Sequence, residues 1–171
     1  MADIENDTNK MDQVLIVNFY DYLARKAKVD EVLNLLVGAI IIDDSGNFLL
    51  VKRNSSDFMG GVFEIPSGKI ELNETIPYAL SREIKEETNL NLRKINSFIN
   101  EFDYQSSSGK KSRQLNFIVS VECYLVPIIL SEHEDYKWIH YSDVEKLTDI
   151  TPELKYTLSI VAFALSQKFE D

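Results

Sequence analysis

The sequence predicts a sandwich of sheet and helices, α+β or α/β in class, and three observations carry that prediction. Short apolar runs of strand length recur through the middle of the chain. Two later segments have helical composition and helix-capping residues at their starts. The two kinds of element mix without the regular alternation of a purely parallel sheet.

Taken in order, residues 1–10 are polar and read as a frayed end. From Met11 to Lys28, Val14, Leu15, Val17, Phe19, Tyr22 and Leu23 suggest a helix of poor period. Val37 to Ile42 and Phe48 to Val51 read as strands, joined by a turn over Asp43, Asp44, Ser45, Gly46 and Asn47. Val62 to Ile65 is a short strand closed by Pro66, Ser67 and Gly68. Thr75 to Thr88 reads as a helix, with Thr75 as N-cap and Pro77 tolerated in the first turn. Strands are expected around Leu92–Phe102 and Leu115–Val126, with a loop or hairpin from Ser106 to Lys111 between them. Tyr136 to Tyr141 suits a last strand, and Ser142 with Glu145 makes a capping-box pattern for a short helix. Thr151 and Pro152 then open a final helix through Ala164.

Composition bounds the function. A chain of 171 residues, 44% hydrophobic and 27% charged, is one ordinary globular domain in size and balance. The net charge of -10 argues against a nucleic-acid polymer or an anionic membrane as partner. An acidic chain still binds polyphosphate where bound cations invert the local field. With Cys123 as the only cysteine, no intramolecular disulfide forms. Asp3, Glu5 and Asp7 stand where a secretion signal needs basic residues, so a cytoplasmic location is expected. The longest apolar run, Leu35 to Ile42, is too short to span a bilayer.

The chemistry lies between Gly68 and Leu90. On a helix, Glu83, Glu86 and Glu87 fall at i, i+3 and i+4, so three carboxylates share one face with Ile76, Ala79 and Leu80 before them. Glutamate-rich faces are ordinary on solvated surface helices, and the three residues alone favour that bland reading. Partly buried, however, the cluster is costly unless a cation neutralises it, and hard oxygen donors suit Mg²⁺ or Mn²⁺.

The spacing decides between the two. Gly68, Glu74, Arg82, Glu83, Ile84, Glu86, Glu87 and Leu90 stand in register with Gly-x5-Glu-x7-Arg-Glu-aliphatic-x-Glu-Glu-x-Gly-aliphatic, and the segment resembles the Nudix box of the MutT-type hydrolases. Six such glycine or charged positions, at roughly 6% background each, recur by chance in about one chain in 10⁵. Asn89 is the one departure, in place of the glycine that follows the helix, and asparagine is the next best residue in a left-handed cap. Val51 to Arg53, Phe63 to Pro66 and Glu132 to Ile139 extend the likeness over about Val37 to Leu165.

This resemblance implies a Nudix fold, an α/β/α sandwich with a mixed sheet and a loop-helix-loop box. Residues 37–171 form that domain, and residues 1–36 form a partly helical or disordered extension. It further implies that Glu83, Glu86 and Glu87 bind Mg²⁺, with Mn²⁺ as a substitute, together with the backbone carbonyl of Ser67. Arg82 and Glu74 steady the loop and helix around Gly68. Water activated by metal and a carboxylate, with Glu83, Glu86, Arg82 and a distal glutamate as the catalytic set, would attack a diphosphate. Glu132 is the chosen distal glutamate, as ligand or base, and Glu134 is its rival. Lys52 and Arg53 are candidates for substrate phosphates, Arg113 and Asn116 for the base pocket. His133 and His140 read as surface or loop residues, and Trp138 as core. The expected partner is a nucleotide-like small molecule, acted on by a monomer or homodimer. The expected reaction is conversion of a nucleoside triphosphate to monophosphate and pyrophosphate. ADP-ribose, dinucleoside polyphosphates, nucleotide sugars and a non-catalytic sensing role are the alternatives.

Overall fold

The apolar runs pair into two sheets. The computed structural model describes residues 15, 18–57 and 59–169. Its strands are β1 (Asn34–Ile41), β2 (Asn47–Arg53), β3 (Phe63–Glu64), β4 (Ser67–Lys69), β5 (Leu92–Gln105), β6 (Lys111–Val121) and β7 (His133–His140). A four-stranded mixed sheet runs β4-β1-β6-β5, and a three-stranded antiparallel sheet runs β3-β2-β7. Helix α1 covers residues 18–29, α2 is Ile76–Thr88, and α3 is Pro152–Phe169 after a 3₁₀ turn at Tyr141–Lys146.

The two faces of β1 explain its unbroken apolar run. Val37, Ala39 and Ile41 enter a core shared with Ile76, Ala79, Leu80 and Ile84 of α2. Ile40 enters a second core with Leu154, Leu158 and Val161 of α3. A strand covered on both sides has no polar face, and alternation disappears. On β2, Leu49 joins the first core while Phe48 and Leu50 join the second. The helices thus lie on opposite sides of the strands, as the sandwich requires.

The strand bounds differ from the sequence expectation where partners decide them. β1 begins at Asn34 because Asn34, Leu35 and Leu36 pair in parallel with Ser112, Arg113 and Gln114. β6 starts earlier than Leu115 for the same reason and stops at Val121, opposite Leu92, where β5 begins. Beyond it Leu125 is 93% exposed, so apolar character there marks no strand. Ser67 and Gly68, expected with Pro66 to close a turn, instead belong with Lys69 to an edge strand antiparallel to β1.

Most punctuation behaves as its chemistry predicts. Asp43 Oδ1 accepts from the Ser45 and Asn47 N–H groups, and Gly46 takes a φ of 80° in the same turn. Thr75 Oγ1 accepts from Tyr78 N, and Thr151 Oγ1 from Leu154 N. The Ser142–Glu145 capping box does not form. His140 Nδ1 caps the 3₁₀ turn by accepting from Ser142 N, while Glu145 Oε1 is taken by Ser159 Oγ on α3. Within the segment expected to be helical, Leu23 and Ala27 of α1 are 3% exposed, and Leu23 packs into the first core. Residues 1–14, 16 and 17 lie outside the described residues.

Asn89 ends α2 with a φ of 62°, its N–H bonded to the Lys85 carbonyl. A left-handed cap favours glycine or asparagine and disfavours β-branched side chains. Asn89→Gly is therefore expected to melt within a degree or two of the wild type, and Asn89→Val to lose about 1 kcal/mol or more. Denaturant melts of the three proteins check this, and equal stability of the Gly and Val variants would contradict the cap.

Candidate active site

The site forms where α2 lies against the free edge of β4. Along α2, Glu83 and Glu87 are buried at 9% and 5% exposure, in line with Ile76, Ala79, Leu80 and Ile84. Glu86 points outward from that stripe, with its side chain 55% exposed. The three carboxylates therefore differ in setting: two are covered and one is at the rim. Ser67 N donates to Glu87 Oε2 at 2.9 Å. In a strand the N–H and C=O of one residue point to the same edge, so the Ser67 carbonyl also faces α2. Gly68 leaves room for the Glu83 carboxylate: a Cβ there would stand 1.9 Å from Glu83 Oε1 and displace it.

Arg82 ties these pieces together. Its Nε and Nη2 donate to the two oxygens of Glu74 at 2.8 and 2.9 Å, and Nη2 also reaches the Lys69 carbonyl at 2.8 Å. Nη1 donates to Glu83 at 2.6 Å and to Glu86 at 3.0 Å. The planar guanidinium fork matches a carboxylate edge-on, and a lysine would lose that match. Glu74 is held below the usual carboxylate range chiefly by its hydrogen bond to Arg82.

Glu87 is the electrostatic extreme of the site. Burial is the main reason its pKa is pushed up to about 9, and Glu64, Glu83 and Glu132 add to the rise, against the Ser67 N–H. Burial also raises Glu83, with Arg82 opposing. The sign for stability follows. An acid whose folded pKa exceeds its unfolded value near 4.5 binds its proton more tightly when folded. Its contribution is full below about 4.5 and is lost as pH rises toward 9. The metal-free protein should accordingly weaken across that window, and Glu87→Gln should flatten the slope. Urea midpoints at a series of pH values in chelator measure it, and parallel profiles for the two proteins would contradict it.

The loop before β7 supplies the rest. Glu132 raises the proton affinity of both Glu83 and Glu87, which marks it as the acidic neighbour of the cluster. Glu134 is engaged elsewhere, with Lys52 Nζ at 2.7 Å and Ser55 Oγ at 2.9 Å. His133 is not a surface histidine: its side chain is 5% exposed. Nε2 lies 3.1 Å from Glu64 Oε1, and the buried Nδ1, 3.9 Å from Glu87 Oε1, has no hydrogen-bond partner among the described residues. Its burial follows from its place at the start of β7, opposite Arg53, which no periodicity announced. Glu64, a polar residue in a two-residue strand, likewise carries no signal in the sequence pattern. Trp138 packs on the first core and against Tyr124, as expected.

The substrate candidates divide. Arg53 lines a cleft of about 430 Å³ with Phe63, Glu64, Phe102, Tyr104 and Gln114, and its Nη1 bonds Glu64 at 2.9 Å. Lys52 turns to Glu134 instead. Arg113 does not line that cleft; it is 6% exposed and binds Asp103 at 2.5 Å and Asp30 at 2.7 Å, tying the end of α1 to the sheet. Asn116 is wholly buried between Asn100 and Gln114. Both had been placed by strand position alone, and strand position does not say which face opens to solvent.

The donor set fits a hard divalent cation. Glu87 is a buried carboxylate with one backbone N–H as donor and three further carboxylates raising its proton affinity, and among the described residues Arg82 bonds Glu83 and Glu86 but not Glu87. Among the described residues no three acidic or histidine side chains already converge as ligands, and Glu83 and Glu86 bond Arg82. Glu83, Glu86, Glu87 and Glu132, with the Ser67 carbonyl, would hold the ion.

A sandwich whose glycine-led edge strand and Arg-Glu braced helix present such a face defines the class. The chain belongs to the Nudix family, whose domain model matches residues 33–159. Nudix hydrolases generally use divalent metal ions such as Mg²⁺. The chain is 32% identical over 110 residues to the ADP-ribose pyrophosphatase of Methanocaldococcus jannaschii, covering 63% of this chain and 60% of that one. It is 37% identical over 57 residues to the 8-oxo-dGTP diphosphatase of Proteus vulgaris, covering 33% and 51%. The chain thus spans between half and two thirds of the length of these relatives. Among solved structures, the MutT protein of Methanosarcina mazei superposes with a TM-score of 0.64 at 20% identity, over 74% of this chain and 90% of that one. That likeness concerns the fold. No helix among the described residues is long and apolar enough to cross a membrane.

Proposed function

We propose that this protein hydrolyses a diphosphate bond in a nucleoside diphosphate linked to a further group, using Mg²⁺, and that its substrate is a nucleoside triphosphate cleaved to monophosphate and pyrophosphate. The observation that carries this reading is the buried Glu83–Glu87 pair facing the β4 edge, with Glu86 at the rim and Arg82 bracing all three elements. A cation bound there would neutralise diphosphate charge and acidify a water. Arg82 keeps the carboxylates aimed, and Glu74 keeps Arg82 in place. Glu132, beside the cluster, would accept a proton from the attacking water. Arg53, which lines the cleft and bonds Glu64, would meet a substrate phosphate. Positioning and electrostatics of this kind supply most of the barrier reduction in phosphoryl chemistry.

ADP-ribose is the second reading, favoured by the longer of the two curated matches, 110 residues against 57. A panel of nucleoside triphosphates, ADP-ribose, dinucleoside polyphosphates and nucleotide sugars with Mg²⁺ separates them. For a triphosphate, the expected products are monophosphate and pyrophosphate, with orthophosphate appearing only after pyrophosphatase is added. Direct release of orthophosphate with diphosphate left behind would contradict the proposed bond, and turnover of ADP-ribose alone would select the second reading.

A further inference from the structure

A chain of buried and half-buried amides leads from α3 to the cleft, and its hydrogen-bond polarity is fixed at one end. Thr157 is wholly buried, and its single hydroxyl proton goes to the Glu153 carbonyl at 2.9 Å, shorter than its 3.3 Å approach to Asn100 Oδ1. A carbonyl only accepts, so the Thr157 oxygen is left to accept, and Asn100 Nδ2 donates to it at 3.1 Å. That turns Asn100 Oδ1 toward Asn116, whose Nδ2 donates at 2.9 Å. Asn116 Oδ1 in turn receives Gln114 Nε2 at 2.9 Å. Every donor points toward the helix carbonyl. The last member, Gln114, lines the cleft, and with its Nε2 given to Asn116 its amide oxygen has no hydrogen-bond partner among the described residues.

Two further features show that the arrangement is built. Buried polar chains are costly in a core unless every member is satisfied, and this one runs along the α3 face of the sheet, with Asn116 near Ile65. Gly38 makes room for it: a Cβ there would stand 2.6 Å from Asn116 Oδ1, 2.7 Å from Gln114 Nε2 and 2.8 Å from Ile65 Cδ1. A glycine within a strand gives up packing, and here it does so for these two amides. Beside Gln114 the cleft is walled by Phe102 and Tyr104, whose rings stand 6.1 Å apart on one face of β5. Its volume of about 430 Å³ suits a nucleoside.

We propose that Gln114 is a specificity-determining residue whose carbonyl, aimed by the Thr157–Asn100–Asn116 chain, accepts a hydrogen bond from the exocyclic amino group of a nucleobase seated against Phe102 and Tyr104. This rests on the nucleotide reading above but is separable from it, because binding of the base is measurable without turnover. A site with a fixed acceptor disfavours the analogue that lacks the donor.

The test compares AMP with purine riboside 5′-monophosphate, and GMP with IMP, by calorimetric titration in Mg²⁺. The same pairs are then assayed as triphosphates, and the adenine pair also as ADP-ribose and its purine counterpart. The wild type should bind and turn over at least one amino-bearing member about tenfold better than its partner. Gln114→Met, close in length and without an acceptor carbonyl, should reduce that ratio to threefold or less. Thr157→Val leaves Gln114 in place but frees the chain's polarity, and should also lower the ratio. A wild-type ratio near one in both pairs, or one unchanged in Gln114→Met, overturns the proposal. Discriminating binding without hydrolysis of any nucleotide would overturn the catalytic reading and leave this one standing.

Discussion

Glu87→Gln is expected to lower hydrolytic turnover by at least ~10²-fold, the scale of losing a strong electrostatic contact in a site that excludes water. The same substitution should leave the metal-free protein as stable as the wild type or more so. Glutamine keeps an oxygen for the Ser67 N–H, while the cost of keeping a buried acid protonated beside Glu64, Glu83 and Glu132 is gone. Mg²⁺ binds the native state, so added Mg²⁺ should raise the melting temperature of the wild type more than that of the variant. Glu86→Gln should lose activity on a similar scale but change metal-free stability little, because that side chain is 55% exposed. Thermal melts with Mg²⁺ and with chelator, beside initial rates for the three proteins, decide the matter. A fully active Glu87→Gln enzyme would end the metal-site reading.

Arg82→Ala is expected to damage stability and activity together, and the two losses are separable. Removing the guanidinium leaves Glu74, 6% exposed in its side chain, without its partner, and frees Glu83 and Glu86. Leaving one member of a largely covered ion pair alone should cost about 2–3 kcal/mol. Turnover of the folded protein should fall about 10²-fold, since small misplacements of reacting groups are amplified in rate. In the double variant with Glu74→Ala, part of the stability should return, because the stranded Glu74 carboxylate is gone while Glu83 still lacks its guanidinium, and activity should stay low. Urea unfolding in chelator and rates under folded conditions complete the cycle. If the double variant regained both properties, Arg82 would be a structural prop and no part of the site's aim.

The box was legible because its physics is local. On one helix, 3.6 residues per turn places Glu83 and Glu87 beneath the apolar stripe whatever else the chain does. Thr75 and Asn89 cap that helix through their own neighbours. Arg82 on α2 meets Glu74 just before the helix, a pair that the resemblance to the Nudix box implied. The two-sided burial of β1 was likewise written in its unbroken apolar run. Glu132 and Glu134 stood on a different footing, two residues apart in a loop. Only the pairing of β7 with β2, which brings Lys52 and Ser55 to Glu134, separated them.

What the tertiary structure alone decided is which side chains meet across strands. Arg113 and Asn116 sit three residues apart on β6, and nothing in their order says that one closes an ion-pair cluster while the other is sealed beneath Gly38. His133 looked like a loop residue until β7 paired with β2 and buried it beside Glu64 and Glu87. The amide chain joins α3, β5 and β6, elements up to 57 residues apart, so no window of sequence contains it. The sequence by itself determined the family, the helix that carries the carboxylates and the caps that hold it, because each is an interaction between near neighbours. The base-side wall, the role of Gln114 and the burial of His133 depend on strand register. One residue of slip in that register would turn every side chain to the opposite face.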